Sequence, residues 1–227
     1  TYGGKGFWEV IGKLGIDAVA GQLRTALDAG VNFLDTADVY HEGESERLVG
    51  EALRRLGVRR SDLVIATKVR GRVGKGVNDA GLSRGHILDA IDQSLGRLGL
   101  DHVDLYQIHG VDPATPLEET VHALADVVKA GKARYVGFCN LPAWMAMKAL
   151  AIADRAGLPR FVSAQVYYTI ASRDIERELV PLCKDEGLGI LPWSPLAGGL
   201  LSGKYAAGER GPDGARRTAF DFPPVDK

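Results

Sequence analysis

The sequence predicts an α/β chain, a (β/α)8 barrel in which six of the eight strands are visible and the first and last fall outside the 227 residues. Three observations predict it. Short apolar runs begin near residues 32, 63, 104, 134, 161 and 189, with a helical pattern in nearly every interval. This alternation implies a parallel sheet joined by right-handed crossovers. The G-x-G-x-x-G fingerprint of a doubly wound dinucleotide fold is absent from the first strand–helix turn. Reactive polar residues instead recur at the carboxyl ends of the runs, the rim on which a barrel carries its site.

The elements follow in order. Residues 1–15 have no period. Residues 17–29 read as a helix with Asp17 as N-cap and Gly30 as stop. Val31, Phe33 and Leu34 make a short strand expected to be buried on both faces. An amphipathic helix at 44–56 ends at Gly57, a strand follows at 63–68, and residues 70–82 form a glycine-rich loop. Within that loop Gly71-Arg72-Val73-Gly74-Lys75-Gly76 is no P-loop, because Gly rather than Ser or Thr follows the lysine. A helix at 83–98, stopped by Gly99, leads to a strand at 103–109. Thr115, Pro116 and Glu118 spell a full helix start, a capping box with proline at the first helical position, for a helix running to Ala130. Strands at 134–138, 161–168 and 189–193 alternate with helices at 142–156 and 173–186, and residues 198–227 carry no clear element.

Eight strands close such a barrel, and an open parallel sheet would leave two unpaired edges. The expectation is therefore one domain over residues 1–227, truncated at both ends: a strand before Thr1, and a helix, a strand and a helix after Lys227. Hydrophobic content of 45% and charged content of 25% are ordinary for a globular domain, and a net charge of −1 argues against nucleic acid. No apolar stretch approaches the roughly 20 residues of a membrane span, and no signal peptide opens the numbering. The two cysteines, Cys139 and Cys183, have no metal-ligand spacing and read as free thiols, so no metal is expected and a cytoplasmic setting is.

Four groups converge by position. Asp35 closes the first strand and Tyr40 lies in the loop after it. Lys68 closes the second strand, and His109 the third. Singly, each has a bland reading as a turn cap, a solvated strand end or a satisfied histidine. Jointly, on one face of one sheet, they make a site.

The motifs Asn32-Phe33-Leu34-Asp35-Thr36-Ala37-Asp38-Val39-Tyr40, Ala66-Thr67-Lys68, Tyr106-Gln107-Ile108-His109, Gly137-Phe138-Cys139-Asn140 and Ala164-Gln165-Val166-Tyr167-Tyr168 are followed by a longer one from Pro192 to Tyr205. Together they resemble the aldo-keto reductases, and the resemblance extends over essentially the whole chain. The long motif around Trp193 is similar to the bacterial branch with the aryl-alcohol dehydrogenases and the potassium-channel β subunits. The resemblance implies a (β/α)8 barrel that moves hydride between NADPH and an aldehyde or ketone. It implies Tyr40 as general acid, with Lys68 lowering the phenol's pKa, Asp35 holding Lys68 charged, and His109 orienting the substrate oxygen. It further implies that Asn140 and Gln165 hold the nicotinamide carboxamide and that Trp193 offers a stacking face. Ser194, Leu196 and Gly198 would meet the pyrophosphate, with Gly203 among the glycines that allow close approach. The NADP preference is inherited from the family, since the adenosine-binding segment is not visible. A second reading is a nucleotide-binding regulatory protein of the same fold with little turnover; the channel subunits carry Asn where this chain has His109. Cys139 is read as a buried inert thiol, Trp144 with Met145 and Met147 as packing, and Trp8 as a loop residue near the pocket rim. Substrate identity and oligomeric state are not legible.

Overall fold

A computed structural model describes residues 1–4, 11–205 and 211–212 of the chain; Trp8 and most of the stretch after Tyr205 lie outside the described residues. Six strands form one sheet: β1 (Phe33–Asp35), β2 (Val64–Val69), β3 (Val103–Ile108), β4 (Ala133–Cys139), β5 (Phe161–Tyr167) and β6 (Gly189–Trp193). They pair in chain order and every pairing is parallel. The sheet curls into a half-barrel, the architecture of a partial (β/α)8 barrel. Six helices alternate with the strands: α1 (Ile16–Asp28), α2 (Glu44–Leu56), α3 (Arg84–Leu98), α4 (Leu117–Lys129), α5 (Ala143–Ala156) and α6 (Leu179–Asp185).

The core lies between the strands and these helices. Ile65, Val69, Tyr106, Ile108, Val136, Phe138, Ala164 and Val166 point from alternate strand positions toward Val49, Ile87, Ile91, Leu124 and Leu150. Each such aliphatic side chain contributes about 2 kcal/mol by leaving water, far more than local propensity does. The intervening strand positions, including Lys68, Gln107, Cys139 and Gln165, are turned the other way. Left-handed glycines at positions 57, 99 and 157 end α2, α3 and α5, as the sequence predicts.

Four expectations are corrected. The first strand is not buried on both faces: Val31 is 52% and Phe33 37% exposed, because β1 has three residues and pairs only with β2 among the described residues. Asp17 is not an N-cap. Gly15 holds that position, and Asp17 lies in the first turn, where its charge meets Arg55 at 3.0 Å. The capping box at Thr115 does not form, since the Thr115 hydroxyl donates to Asp112 Oδ2 (2.8 Å) and Glu118 turns to Lys148. The helix expected at 173–186 is broken. A 3-10 turn at Asp174–Glu176 precedes α6, which starts late enough to put Pro181 in its first turn, where a missing N–H costs no hydrogen bond.

Candidate active site

Strands β1, β2 and β3 end side by side, with Asp35 opposite Ala66 and Lys68 opposite Gln107. The Lys68 side chain is fully buried, and that of Asp35 is 31% exposed. Lys68 Nζ donates to Asp35 Oδ2 at 2.5 Å and to the Thr36 carbonyl at 2.7 Å. An ammonium out of water loses several kcal/mol of solvation unless such partners replace it. The other oxygen of Asp35 accepts from Gln165 Nε2 (2.9 Å) and Gln107 Nε2 (3.3 Å), so this carboxylate has donors on both sides. Burial pulls the Lys68 pKa down, but the charges of Asp35, Tyr40 and Cys139 outweigh it and the net shift is upward.

Tyr40 reaches this group from the loop between β1 and α2, where His41 and Glu42 adopt left-handed backbone with φ of 52° and 58°. Lys68 Nζ stands 5.1 Å from the centre of the Tyr40 ring, and the His109 ring meets that ring edge-on at 5.7 Å. The phenol pKa is raised: burial dominates, Lys68 pulls it down in part, and Asp35 pushes it up. Lys68 thus acts on the phenol in the expected direction without winning, because the loop removes the hydroxyl from water. A phenol kept protonated at neutral pH is the form a proton donor requires. His109 is held neutral, its pKa lowered to about 3 by burial first and then by the charges of Lys68 and Arg70. A neutral imidazole can donate a hydrogen bond to a substrate oxygen but has no proton to surrender at neutral pH.

The residues read as cofactor-binding fall into three places. Asn140 follows β4 with φ of 51°, and its Oδ1 accepts from Trp193 Nε1 at 2.9 Å. The Trp193 ring also lies 4.8 Å from that of Tyr167. Gln165 reaches toward β1, with Nε2 on Asp35 and Oε1 3.7 Å from the Cys139 sulfur. Ser194, Leu196, Gly198 and Gly203 occupy the turn after β6, which contains a 3-10 segment at Ala197–Ser202. Ser194 (φ 50°) and Ala197 (φ 49°) are left-handed although neither is glycine, and Gly198, Gly199 and Gly203 follow at 63°, 98° and 80°. The turn closes on itself, with the amides of Ala197, Gly199 and Leu201 donating to the carbonyls of Ser194 (2.7 Å) and Leu196 (2.9 and 3.1 Å). At Gly199 and Gly203 nothing lies within 4 Å of an added Cβ, so a ligand can approach this turn closely beside Trp193.

Sequence reading missed several members of the site. Gln107 is in register with Lys68 and two residues before His109, so the period of a strand could have found it. Gly137 makes its room: an added Cβ there would stand 2.4 Å from Ser163 Oγ and 3.3 Å from Gln107 Cγ. Behind the Tyr40 loop, buried Glu46 bonds Thr67 (2.5 Å) and Arg97 (2.6 Å), and buried Asp38 has its carboxyl pushed up to about 8 by burial and then by Glu46. Cys139 is inert, its thiol raised to about 12 by burial. Among the described residues no group of three metal-ligating side chains occurs, and no helix is long and apolar enough to cross a membrane.

Strand-end chemistry of this kind, on this sheet, has a family. The model of the Aldo/keto reductase family matches residues 3–221, and the chain belongs to that family. It is 42% identical over 199 residues to versiconal hemiacetal acetate reductase of Aspergillus parasiticus, covering 80% of this chain and 58% of that protein. It is 43% identical over 205 residues to a protein of Oryza sativa subsp. japonica named "Probable voltage-gated potassium channel subunit beta", covering 89% of this chain and 62% of that one. Proteins of Schizosaccharomyces pombe that carry the aryl-alcohol dehydrogenase name match at 36% identity. The chain thus spans about 60% of the length of the first two of these relatives.

Proposed function

We propose that the protein is an oxidoreductase that reduces aldehydes and ketones to alcohols with a nicotinamide cofactor, NADPH by family inheritance. The observation that carries this reading is the grouping of Lys68, Asp35, Tyr40 and His109 at adjoining strand ends, with Lys68 Nζ 5.1 Å from the Tyr40 ring. Asn140, Trp193 and the turn through Ser194, Leu196, Gly198 and Gly203 would hold the dinucleotide, with Gln165 between the two groups of residues. A bound reduced nicotinamide supplies the hydride for the carbonyl carbon.

The chain's own residues handle the rest of the reaction. His109, neutral, donates to the carbonyl oxygen and orients it beside Tyr40. As that oxygen gains negative charge, the Tyr40 hydroxyl delivers its proton and becomes phenolate. The Lys68 ammonium stabilises the phenolate, and Asp35 keeps Lys68 charged and in place. The full burial of the Lys68 side chain strengthens its interaction with Asp35 and Tyr40. The reverse direction, alcohol oxidation, uses the same groups with Tyr40 as base. His109 favours turnover over the regulatory reading, since a second donor at the substrate oxygen serves chemistry and not cofactor retention.

The test is aldehyde-dependent loss of reduced-nicotinamide absorbance across aromatic, sugar and short-chain aldehydes. Turnover with at least one class is expected; cofactor binding without turnover on any would transfer the case to the regulatory reading.

A further inference from the structure

Arg70 stands at the same rim, and the reaction as derived does not use it. It is the first residue after β2, with φ of 151°. A non-glycine residue in that region is strained by about 1–3 kcal/mol and persists where its surroundings enforce it. Here they do so from both sides. The Arg70 carbonyl accepts from Gly81 N (2.9 Å), and the backbone of Gly71 lies against Val39, whose Cγ2 an added Cβ would approach to 2.6 Å. Val39 directly precedes Tyr40. On the other side, Arg70 Nε donates to the Val111 carbonyl at 2.7 Å. The guanidinium covers Gly110, where an added Cβ would touch its Nε at 3.7 Å and Cζ at 3.8 Å. Gly110 directly follows His109. Arg70 is thereby pinned between the loop carrying Tyr40 and the turn carrying His109, yet remains exposed.

Its Nη1 and Nη2 have no hydrogen-bond acceptor among the described residues. Asp112, the acid of the same turn, is occupied by other donors: Leu82 N (2.7 Å), Ala114 N (3.0 Å) and the Thr115 hydroxyl (2.8 Å). A guanidinium stays charged at every working pH, and its free edge matches a carboxylate in two parallel hydrogen bonds. Because Nε is already tied to Val111, little freedom is lost when an anion binds.

We propose that Arg70 is an anion subsite of the substrate pocket, selecting aldehydes or ketones that bear a carboxylate several atoms from the carbonyl. The proposal rests on the reductase reading for the position of that carbonyl. The subsite itself is a property of the free Nη edge beside His109.

The test compares 4-carboxybenzaldehyde with methyl 4-formylbenzoate, which differ in charge at one end. With the full chain and NADPH, Arg70→Gln is expected to lower kcat/KM for the acid about tenfold relative to the ester, chiefly through KM. Arg70→Lys should recover part of the loss, and added salt should shrink the wild-type preference. An equal effect of Arg70→Gln on both substrates overturns the subsite. Calorimetric titration with monomethyl terephthalate against dimethyl terephthalate separates this from the reductase reading, because it requires no turnover. Binding of the acid that weakens in Arg70→Gln, in a protein that reduces no aldehyde, keeps the subsite and removes the reductase. Binding of the two compounds with equal strength overturns the subsite whatever the turnover.

Discussion

Tyr40→Phe abolishes aldehyde reduction, with a loss of at least about 100-fold in kcat, while cofactor affinity stays within about twofold; positioned proton donors contribute rate factors of this size. The substitution removes one oxygen and keeps the ring, so the contacts with Lys68 at 5.1 Å and His109 at 5.7 Å persist in outline. What disappears is the phenol proton that would neutralise the nascent alkoxide. His109 cannot replace it, because a pKa of about 3 leaves the imidazole neutral wherever the enzyme works. Cys139 cannot either, with its thiol raised to about 12 and its sulfur turned to Gln165. Steady-state rates beside a fluorescence titration with NADPH distinguish the two effects. Near-wild-type turnover in this variant would show that the proton comes from elsewhere.

Lys68→Met has the largest combined effect. Methionine matches the lysine stem in volume but leaves Asp35 without its cation, and breaking a buried ion pair costs about 3–5 kcal/mol. Asp35 is 31% exposed and retains Gln107 and Gln165 as donors, which places the expected loss near 3 kcal/mol. For a chain of this size that lowers Tm by roughly 6–12 °C. Turnover falls as well, since burial then raises the Tyr40 phenol without opposition from Lys68. The pH dependence has a definite sign. The folded-state pKa of Lys68 lies above its unfolded value of about 10.4, so its contribution is complete below that pH and fades as pH rises through the folded value. Denaturant midpoints should therefore separate wild type from Lys68→Met by the full amount at neutral pH and by less above pH ~11. A constant gap across that range would mean that the stabilisation comes from packing and not from charge.

Much of this organisation was legible in the residues. The strand spacing placed all six strands, and glycines 57, 99 and 157 marked helix ends because no other residue adopts left-handed backbone so freely. Asp35, Tyr40, Lys68 and His109 could be grouped because strand ends of one parallel sheet lie together. Local signals failed where a distant partner competed for the same atoms. Asp112 captured the Thr115 hydroxyl from the helix it was expected to cap. The net rise of the Tyr40 pKa was illegible because burial depends on how the loop closes, and no residue type encodes that. Arg70 lay in plain view two residues after Lys68, but its value depends on a backbone twist and a carbonyl at Val111 that only tertiary structure supplies.

The most direct measurement follows the atom that is transferred. NADPH carrying deuterium at the reactive face of nicotinamide C4 is incubated with wild-type protein and an aromatic aldehyde, and the alcohol is analysed by mass. One deuterium is expected on the carbinol carbon of every alcohol molecule formed, with Tyr40→Phe forming that alcohol at least about 100-fold more slowly than wild type. Alcohol formed without deuterium, or formed by Tyr40→Phe at the wild-type rate, would contradict this mechanism.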